Sequence, residues 1–384
     1  MQHTLDELKR QGLLRGLSPV QMQGAYLLHD GQRYLNLSSN DYLGLTARLD
    51  LQRRFLATLP DNEFVLGTPS SRLLTGTSDH VLHFEEELSA LYGARAALVF
   101  NSGCHANSGI LPAIAHKGDL ILADRLVHAS IIDGLRLGAA EFKRYRHNDY
   151  DDLQRRLQCA HGHYNNIFIV TESVFSMDGD IADIDRLVAL KQQYQARLYI
   201  DEAHAFGVFG EHGLGLVAAQ GLTAEVDYIL CTLGKAAASE GAFIICSADA
   251  RQWLINRCRS LIYTTAQPVL NVLWSHFIVR EIAAMQTERM SLLQLADTFR
   301  SRLRQLPGLQ VLGSTQIIPL VTGDNASALA LAQALQRQGI WAMPVRPPTV
   351  PNGSARVRFS LNAALNTQQI QQVYETIVAH TQKA

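Results

Sequence analysis

The chain has 384 residues, of which 47% are hydrophobic and 18% are charged, so its length suits two domains and its composition excludes a disordered or collagen-like protein. With 34 Lys and Arg residues against 35 Asp and Glu residues, the net charge of −1 provides no general field to hold nucleic acid or an anionic membrane. The five cysteines are scattered without C-x-x-C spacing, which argues against a disulfide framework and against a cysteine zinc site.

The N-terminal part combines a polar start with a short strand-like run. Residues 1–10 lack the apolar core of a signal peptide, and no apolar stretch reaches the length of a membrane span, so we expect a cytoplasmic protein. A short helix pattern comes first, and the run 33–37 follows it. Further along, Ser78 is typical of a helix start, and Gly93 is typical of the position just past a helix end.

The middle of the chain alternates short apolar runs with amphipathic stretches. The runs are rich in Val, Ile, Leu and Phe and are typical of strands buried on both faces. They comprise residues 97–100, 120–123, 167–171, 198–200, 228–230 and 242–246. Helical patterns such as 183–194 lie between them, and this alternation predicts an α/β fold with a mostly parallel sheet.

The C-terminal part follows a different pattern, helix then strand then helix, from about residue 291 onwards. Strands are predicted near residues 316–321 and 356–361. We therefore predict a large domain over residues 46–290 and a smaller α+β domain over 291–384. The N-terminal segment, residues 1–45, is expected to pack against the smaller domain.

The strongest chemical signal lies at the ends of two predicted strands. Asp201 and His204 follow one strand, and Lys235 follows the next. Because ligands bind at the carboxyl ends of parallel strands, these three side chains are expected to converge on one cleft. A lysine there suits a Schiff base, and a carboxylate suits the protonated pyridine nitrogen of pyridoxal phosphate (PLP). At about 4 Å such a charge pair is worth roughly 4 kcal/mol.

Two further elements follow predicted strands. Gly103 lies where a strand turns into a helix, whose N-terminus suits a phosphate, although a plain strand–helix turn has the same pattern. His128 is placed either to lie on an aromatic cofactor or simply to begin a helix. The polar loop 171–180 is expected to line the same cleft.

Taken together, these motifs resemble the α-oxoamine synthases, PLP-dependent enzymes of the aspartate aminotransferase fold (fold type I), over nearly the full length. The motifs that carry the resemblance are residues 38–45, 102–103, 172–180, 201–204 and 232–235.

For the cofactor, the resemblance implies that Lys235 forms the Schiff base with PLP and that Asp201 pairs with the pyridine nitrogen. The remaining cofactor contacts are implied for His204 and Ser176 near the 3-oxygen, and for Gly103, Cys104 and Thr232 near the phosphate. The family forms homodimers with shared active sites, so Thr264 and Thr265 are expected to reach the cofactor phosphate of a second copy.

For the substrates, the resemblance implies that Arg358 holds an amino-acid carboxylate beside Asn40, with Arg356 as the nearby alternative. Arg15 and Thr349 match positions that line the acyl-thioester site. His128 is expected to stack on the cofactor and to touch substrate, which completes a catalytic set of Lys235, His128, Asp201 and His204.

Within the family, residues 340–361 look most like the member of the biotin pathway that condenses L-alanine with a pimeloyl thioester of CoA or acyl carrier protein. Sister enzymes that use glycine, 5-aminolevulinate synthase and 2-amino-3-ketobutyrate CoA ligase, are the alternatives, followed by a plain aminotransferase. A regulator that keeps only the fold is disfavoured by the intact lysine, aspartate and histidine set. His80 and His83 are read as a solvated helix face, so no metal site is expected.

Two departures from the family pattern stand out. Cys104 replaces the usual aromatic residue of the phosphate loop, which leaves a backbone donor but removes a ring contact. Residues 236–240 replace a glycine-rich stretch and include Glu240, which is unexpected beside a Schiff-base lysine.

Overall fold

The computed structural model describes residues 2–382, and fifteen β-strands lie within them. In chain order they are β1 (Gln21–Gln23), β2 (Tyr26–His29), β3 (Gln32–Asn36), β4 (Ala96–Phe100), β5 (Leu120–Asp124), β6 (Glu141–Tyr145), β7 (Ile167–Glu172), β8 (Arg197–Asp201), β9 (Tyr228–Thr232), β10 (Ala242–Cys246), β11 (Gln310–Val311), β12 (Ile317–Gly323), β13 (Ile340–Trp341), β14 (Pro344–Val345) and β15 (Ala355–Ser360).

Fourteen α-helices are described over the same residues. They are α1 (Gln2–Arg10), α2 (Leu49–Thr58), α3 (Asp79–Leu91), α4 (Gly103–Ile114), α5 (Ala129–Leu137), α6 (Tyr150–Ala160), α7 (Ile184–Gln193), α8 (Leu216–Ala219), α9 (Ala248–Arg257), α10 (Arg259–Ile262), α11 (Val269–Ala284), α12 (Gln286–Arg304), α13 (Asn325–Arg337) and α14 (Thr367–Thr381). Short 3₁₀ turns occur at Leu45–Ala47 and Asp61–Glu63, and a π-helical turn at Arg72–Gly76. No helix in this part of the chain is long and apolar enough to cross a membrane.

The chain forms two compact units, each built from separate segments. Of the described residues, the first unit contains 2–49, 176–181 and 287–382, and the second contains Asp50–Phe175 and Ala182–Gln286. The sequence predicted divisions after residues 45 and 290, whereas the units change after residues 49 and 286. That these units are independent domains stays a prediction.

The second unit is built on a seven-stranded sheet in the order β4-β10-β9-β8-β7-β5-β6. The pairs between β9 and β6 are parallel, while β10 runs antiparallel to both of its neighbours. The six apolar runs predicted as strands are β4, β5, β7, β8, β9 and β10. The edge strand β6 was not predicted, because its sequence EFKRY is polar and mostly exposed.

Hydrophobic side chains of the sheet, of α4 and of α5 form one buried cluster in this unit, including Leu98, Ile110, Ile131 and Ile244. Burying each such side chain is worth about 1.5–3 kcal/mol. Helices α4 and α5 approach closely because Gly134 has no side chain; a Cβ there would lie 2.4 Å from the carbonyl oxygen of Asn107. Helix α4 is thereby held against the sheet, with its N-terminus at the carboxyl ends of the strands.

The first unit contains two small sheets, ordered β1-β2-β3-β13 and β11-β12-β15-β14. Strand β13 pairs in parallel with β3, so the N-terminal strands are completed by a strand from the C-terminal segment. Strand β12 pairs antiparallel with β15, and α13 packs on both of these strands and on α14. Strands β3, β12 and β15 correspond to the runs predicted near residues 33–37, 316–321 and 356–361.

The segment 176–181 belongs to the first unit although the chain on both sides of it belongs to the second. Gly179 adopts a φ of 66°, and a Cβ there would lie 2.3 Å from the carbonyl oxygen of Ile317. Its own carbonyl accepts hydrogen bonds from the Thr315 hydroxyl and the Ser314 N–H, both at 2.9 Å. Only glycine fits this turn, which fixes the segment against β12.

Candidate active site

One cleft in the second unit gathers polar side chains from the carboxyl ends of β5, β7, β8 and β9 and from the N-terminus of α4. The cleft is open to solvent and has a cavity volume of about 140 Å³. The residues that matter most to its chemistry are Gly103, Cys104, His128, Glu172, Asp201, His204 and Lys235.

Lys235 lies just past β9, and its Nζ is 2.7 Å from Nε2 of His204. The turn that carries it is closed by hydrogen bonds from Ala238 N–H to Lys235 C=O and from Ser239 N–H to Leu233 C=O. Ala238 adopts the left-handed φ of 46° that closing the turn requires. Glu240 is exposed, and its backbone carbonyl accepts hydrogen bonds from the side chains of Gln267 and Asn271. Its carboxylate is not among the groups that line the cleft.

Asp201 ends β8 and is only 5% exposed. One of its carboxylate oxygens accepts a hydrogen bond from Asn107 Nδ2, and the other accepts from the N–H of Ala203, both at 2.9 Å. Both oxygens of this buried carboxylate are therefore held in place. A buried carboxylate aimed into a cleft is the arrangement that a cationic ring nitrogen requires.

Two ionisable groups of the cleft, Glu172 and His128, have pKa values that are shifted by burial. Burial raises the pKa of Glu172 well above its usual range, and the charge of Asp201 adds to the rise. Glu172 accepts a hydrogen bond from the N–H of His128. Burial lowers the pKa of His128, and the charge of Lys235 lowers it further. Clustering of such shifted groups in one cleft is typical of a catalytic centre.

The N-terminus of α4 forms another wall of the cleft. Ser102 caps this helix by accepting from His105 N–H, so the N–H groups of Gly103 and Cys104 lie in the first turn, where helical N–H groups have no intrahelical partner. Gly103 leaves room beside Thr232, whose hydroxyl would be 3.7 Å from a Cβ. A phosphate fits such a helix end.

The residues present therefore fit PLP: an amine for its aldehyde, a buried carboxylate for its ring nitrogen and a helix N-terminus for its phosphate all line one cleft. Thr264 and Thr265 lie near the same helix. Asn101 Nδ2 donates to the Thr264 hydroxyl at 3.2 Å and to the Thr265 carbonyl at 2.7 Å. Among residues 2–382, no group of three or more His, Cys, Asp or Glu side chains is arranged to hold a metal ion.

In the first unit, the two arginines of β15 have different environments. Arg356 is 3% exposed, and its guanidinium contacts Asp178 Oδ1 at 2.8 Å and the carbonyls of Met177 and Ser354 at 3.0 Å. Arg356 is thus buried and ion-paired with Asp178, which disfavours the alternative that Arg356 binds substrate.

Arg358 is half-buried, and unlike Arg356 it forms no salt bridge within the described residues. Its Nε donates to the Ser176 carbonyl at 2.6 Å, and its Nη2 lies 3.3 Å from Asn40 Oδ1. A contact with the Tyr42 hydroxyl also orients it, and burial raises the pKa of that tyrosine. A guanidinium has five N–H donors, so these three contacts leave part of the fork for a carboxylate.

A second cleft lies within the first unit and is lined by Leu13, Leu14, Met177, Met343, Val345 and two arginines. Arg15 Nη2 donates to the Thr349 hydroxyl at 2.8 Å, and Arg346 donates to the Gly12 carbonyl. Burial lowers the pKa of Arg346, and the positive charge of Arg15 lowers it further. Within the described residues, neither guanidinium forms a salt bridge with a carboxylate.

The sequence assigned no individual role to Asn107, Ser130, Glu172 or Arg346. Asn107 is one helical turn after Gly103 and so faces the same side, a spacing that could have identified it. Glu172 ends a buried strand and is part of the loop 171–180, and it lines the cleft as that loop was expected to do. Ser130 is found only from its contacts.

The fold and the cleft define a PLP-dependent enzyme of fold type I. In agreement with this, residues 32–377 match the family model described as aminotransferase class I and II.

Sequence comparison with related proteins shows which family within this class of enzyme the chain resembles. The chain is 45% identical over 372 residues to a putative 8-amino-7-oxononanoate synthase of Pasteurella multocida, covering 97% of this chain and 96% of the relative. It is 48% identical over 359 residues to the 8-amino-7-oxononanoate synthase of Chlorobaculum parvum, covering 92% and 91%. The chain therefore belongs to the 8-amino-7-oxononanoate synthase family, PLP-dependent enzymes that transfer acyl groups in biotin biosynthesis.

Solved structures of PLP-dependent enzymes have the same fold as this chain. Serine palmitoyltransferase of S. paucimobilis, in a variant with a bound PLP–myriocin aldimine, superposes with a TM-score of 0.91 at 29% identity and covers 99% of this chain and 96% of its own. The 8-amino-7-oxononanoate synthase of Francisella tularensis gives 0.78 at 27% identity, covering 91% and 98%.

Proposed function

We propose that this chain condenses L-alanine with a pimeloyl thioester and releases CO2, the carrier thiol and 8-amino-7-oxononanoate. The observation that carries the proposal is the cleft of the first unit, with its apolar wall and two guanidiniums that have no carboxylate partner among the described residues. The wall suits the methylenes of a pimeloyl chain, and Arg15, Arg346 and the Thr349 hydroxyl suit its terminal carboxylate.

Most of the residues that hold PLP in this proposal belong to the second unit. When bound, PLP supplies the electron sink for negative charge that develops at the substrate Cα. Lys235 would bind the aldehyde carbon of PLP, and its amine would take the substrate Cα proton as general base. Asp201 keeps the proton on the ring nitrogen.

The remaining cofactor contacts are proposed from the positions of backbone and hydroxyl groups. The N–H groups of Gly103 and Cys104 and the Thr232 hydroxyl hold the phosphate. His204 and Ser176 bind on the side of the 3-oxygen. A backbone donor is unaffected by the unusual thiol of Cys104.

Arg358 and Asn40 bind the carboxylate of the amino acid, which restricts its orientation before the proton is removed. His128 donates a hydrogen bond to the oxygen of the thioester carbonyl as charge develops there. The carbonyl carbon bonds to the alanine Cα, the thiolate leaves with the electron pair of the C–S bond, the alanine carboxylate is lost as CO2, and the Lys235 ammonium returns a proton to Cα.

We propose further that two copies form a homodimer in the cytoplasm and that the carrier is CoA or acyl carrier protein. Thr264 and Thr265 of one copy then contact the cofactor phosphate of the other, as the resemblance to the family implies.

The test measures thiol and CO2 release from purified holoenzyme with every pairing of L-alanine, glycine or L-serine with pimeloyl-CoA, succinyl-CoA or palmitoyl-CoA. We expect turnover with L-alanine and pimeloyl-CoA, and higher efficiency with this pair than with any other. A preference for glycine with succinyl-CoA, or for L-serine with palmitoyl-CoA, would contradict the proposal.

Lys235→Ala tests the role of the amine. We expect turnover to fall at least 10²–10⁴-fold, the usual value of a general base, while the variant still folds and takes up PLP. Lys117→Ala, which changes an exposed lysine, is the matched control and should keep full activity. Near-normal turnover of Lys235→Ala would overturn the assignment.

A further inference from the structure

We propose that Ser130 and Asn107 are positioning residues that hold the His128 side chain as a single neutral tautomer, with its proton on Nε2. The role of His128 as a hydrogen-bond donor rests on the proposed function above, but the tautomer itself follows from contacts within the second unit. The groups that position the ring are buried, whereas His128 itself is exposed in the cleft: Ser130 and Asn107 are each 2% exposed, and Tyr199 is fully buried.

The orientation of the Asn107 amide is decided by its neighbours. Tyr199 Oη donates to Asn107 Oδ1 at 2.7 Å, and Asp201 Oδ2 lies 2.9 Å from Asn107 Nδ2. A carboxylate can only accept, so the amide nitrogen must face Asp201 and the amide oxygen must face the tyrosine. The second proton of Nδ2 points to the Ser130 hydroxyl at 3.1 Å.

The Ser130 hydroxyl therefore accepts from Asn107 and has one proton left to give. Its Oγ lies 2.7 Å from His128 Nδ1, and although a hydroxyl can also accept a second hydrogen bond, the backbone N–H of Ser130 requires a lone pair on Nδ1, so the hydroxyl proton goes to Nδ1. The backbone N–H of Ser130 also donates to Nδ1 at 3.2 Å, because His128 is the N-cap of α5. Two donors meet at Nδ1, so Nδ1 carries a lone pair, and the proton of the neutral ring is on Nε2.

The same contacts resist protonation of the ring. A proton on Nδ1 would point at two donors, the Ser130 N–H and the Ser130 hydroxyl that accepts from Asn107, and would be repelled by them. Burial and the charge of Lys235 lower the pKa of His128, while Asp201 and Asp133 oppose this. Glu172 faces the backbone N–H of His128 rather than its ring.

Nε2 has no hydrogen-bond partner among residues 2–382, and the His128 side chain lines the cleft. The Nε2–H of His128 is therefore available to donate a hydrogen bond to an oxygen of a bound substrate. A neutral imidazole stabilises developing negative charge by donating a hydrogen bond, and it adds no positive charge next to the Lys235 amine that must accept a proton.

The experiment uses holoenzyme labelled with ¹⁵N-histidine and reads the two ring nitrogens in long-range ¹H–¹⁵N correlation spectra without substrate. Comparison with His128→Gln identifies the His128 signals. We expect an unprotonated Nδ1 and a protonated Nε2 that persist below pH 6.5, where a free histidine is mostly charged. A proton on Nδ1, or a ring that titrates normally, would overturn the proposal.

Ser130→Ala tests the positioning role. We expect a mixture of tautomers, a rise of about one unit in the pKa of His128 and the same displacement of the acid limb of kcat/KM. Ser130→Thr, which keeps the hydroxyl, should restore both, and Ser108→Ala on the exposed side of α4 should change neither. An unchanged His128 spectrum in Ser130→Ala would contradict the role of Ser130.

The two proposals fail separately. The expected tautomer together with no turnover on L-alanine and pimeloyl-CoA would remove the proposed function and keep the inference. Turnover on these substrates by an enzyme whose His128 carries its proton on Nδ1 would keep the proposed function and remove the inference.

Discussion

At the residue scale, two adjacent carboxylates of the second unit have different surroundings. Asp201 lines the cleft, whereas Glu202 points into the protein and is fully buried. Glu202 accepts from the N–H groups of Leu216 and Val217, at 2.8 and 3.3 Å, at the start of α8. Burial nevertheless raises the pKa of Glu202 to about 7, because two amide contacts do not replace its hydration.

This predicts a pH-dependent effect of Glu202→Gln on stability. A carboxyl group whose pKa rises from 4.5 to about 7 on folding contributes stability below pH 4.5 that is lost as the pH rises through 7. We expect the variant, relative to the parent protein, to gain about 3 kcal/mol between pH 4.5 and 8. Urea unfolding at both pH values measures this, with the exposed Glu86→Gln as control, and a pH-independent difference would argue against a buried, titrating Glu202.

How much of the site the sequence can predict depends on what positions each residue. Lys235, Asp201 and His204 were expected to meet because strand ends in a parallel sheet share one edge, and the structure brings them together. Asn107 and Ser130 were not expected, since their importance arises from hydrogen bonds between elements far apart in sequence. The choice between Arg356 and Arg358 likewise needed Asp178, which no local pattern connects to β15.

At the element scale, α4 is the helix on which the site depends most. It supplies the first-turn N–H groups at one end and Asn107 one turn later, while Gly109 and Gly134 let neighbouring segments approach it. A Cβ on Gly109 would lie 1.9 Å from Ser260 Oγ. The sequence predicted this helix from its glycine turn, but the close packing depends on contacts that only the fold creates.

Gly134→Ala should therefore destabilise the protein and disturb the site together. The new methyl would lie 2.4 Å from the backbone oxygen of Asn107, which cannot rotate away. We expect a loss of about 1–3 kcal/mol, as for other overpacked cores, and weaker PLP affinity. Gly67→Ala is the control, because nothing lies within 4 Å of a Cβ there. Equal melting temperatures for the two variants would show that α4 and α5 can separate freely.

At the scale of the whole molecule, the sequence predicted the two-part α/β organisation and six of the seven strands of the large sheet. It missed β6 because an edge strand is exposed and its polar residues do not follow the apolar pattern of the strands beside it. It also missed that residues 176–181 belong with the first unit, since that assignment depends on Arg356 and on Gly179 rather than on a local pattern.

The proposed sharing of sites between two copies predicts complementation. Lys235→Ala and the double change Thr264→Ala with Thr265→Ala each damage every site of their own homodimer. In a mixed dimer one site regains both the lysine and the threonines, so a reassociated equimolar mixture should recover about one quarter of full activity. A mixture no more active than its two components would contradict shared sites.

The pairing of β3 with β13 also sets an order for folding during synthesis. Leu35 pairs with Ile340, which is made 340 − 35 = 305 residues later, or roughly 15–60 s at the usual speed of a ribosome. The second unit is complete when residue 286 has emerged from the ribosome. It can therefore fold before β13 has been made, while one edge of β3 is still unpaired. On a ribosome, the PLP cleft is therefore expected to form before the arginine-lined cleft.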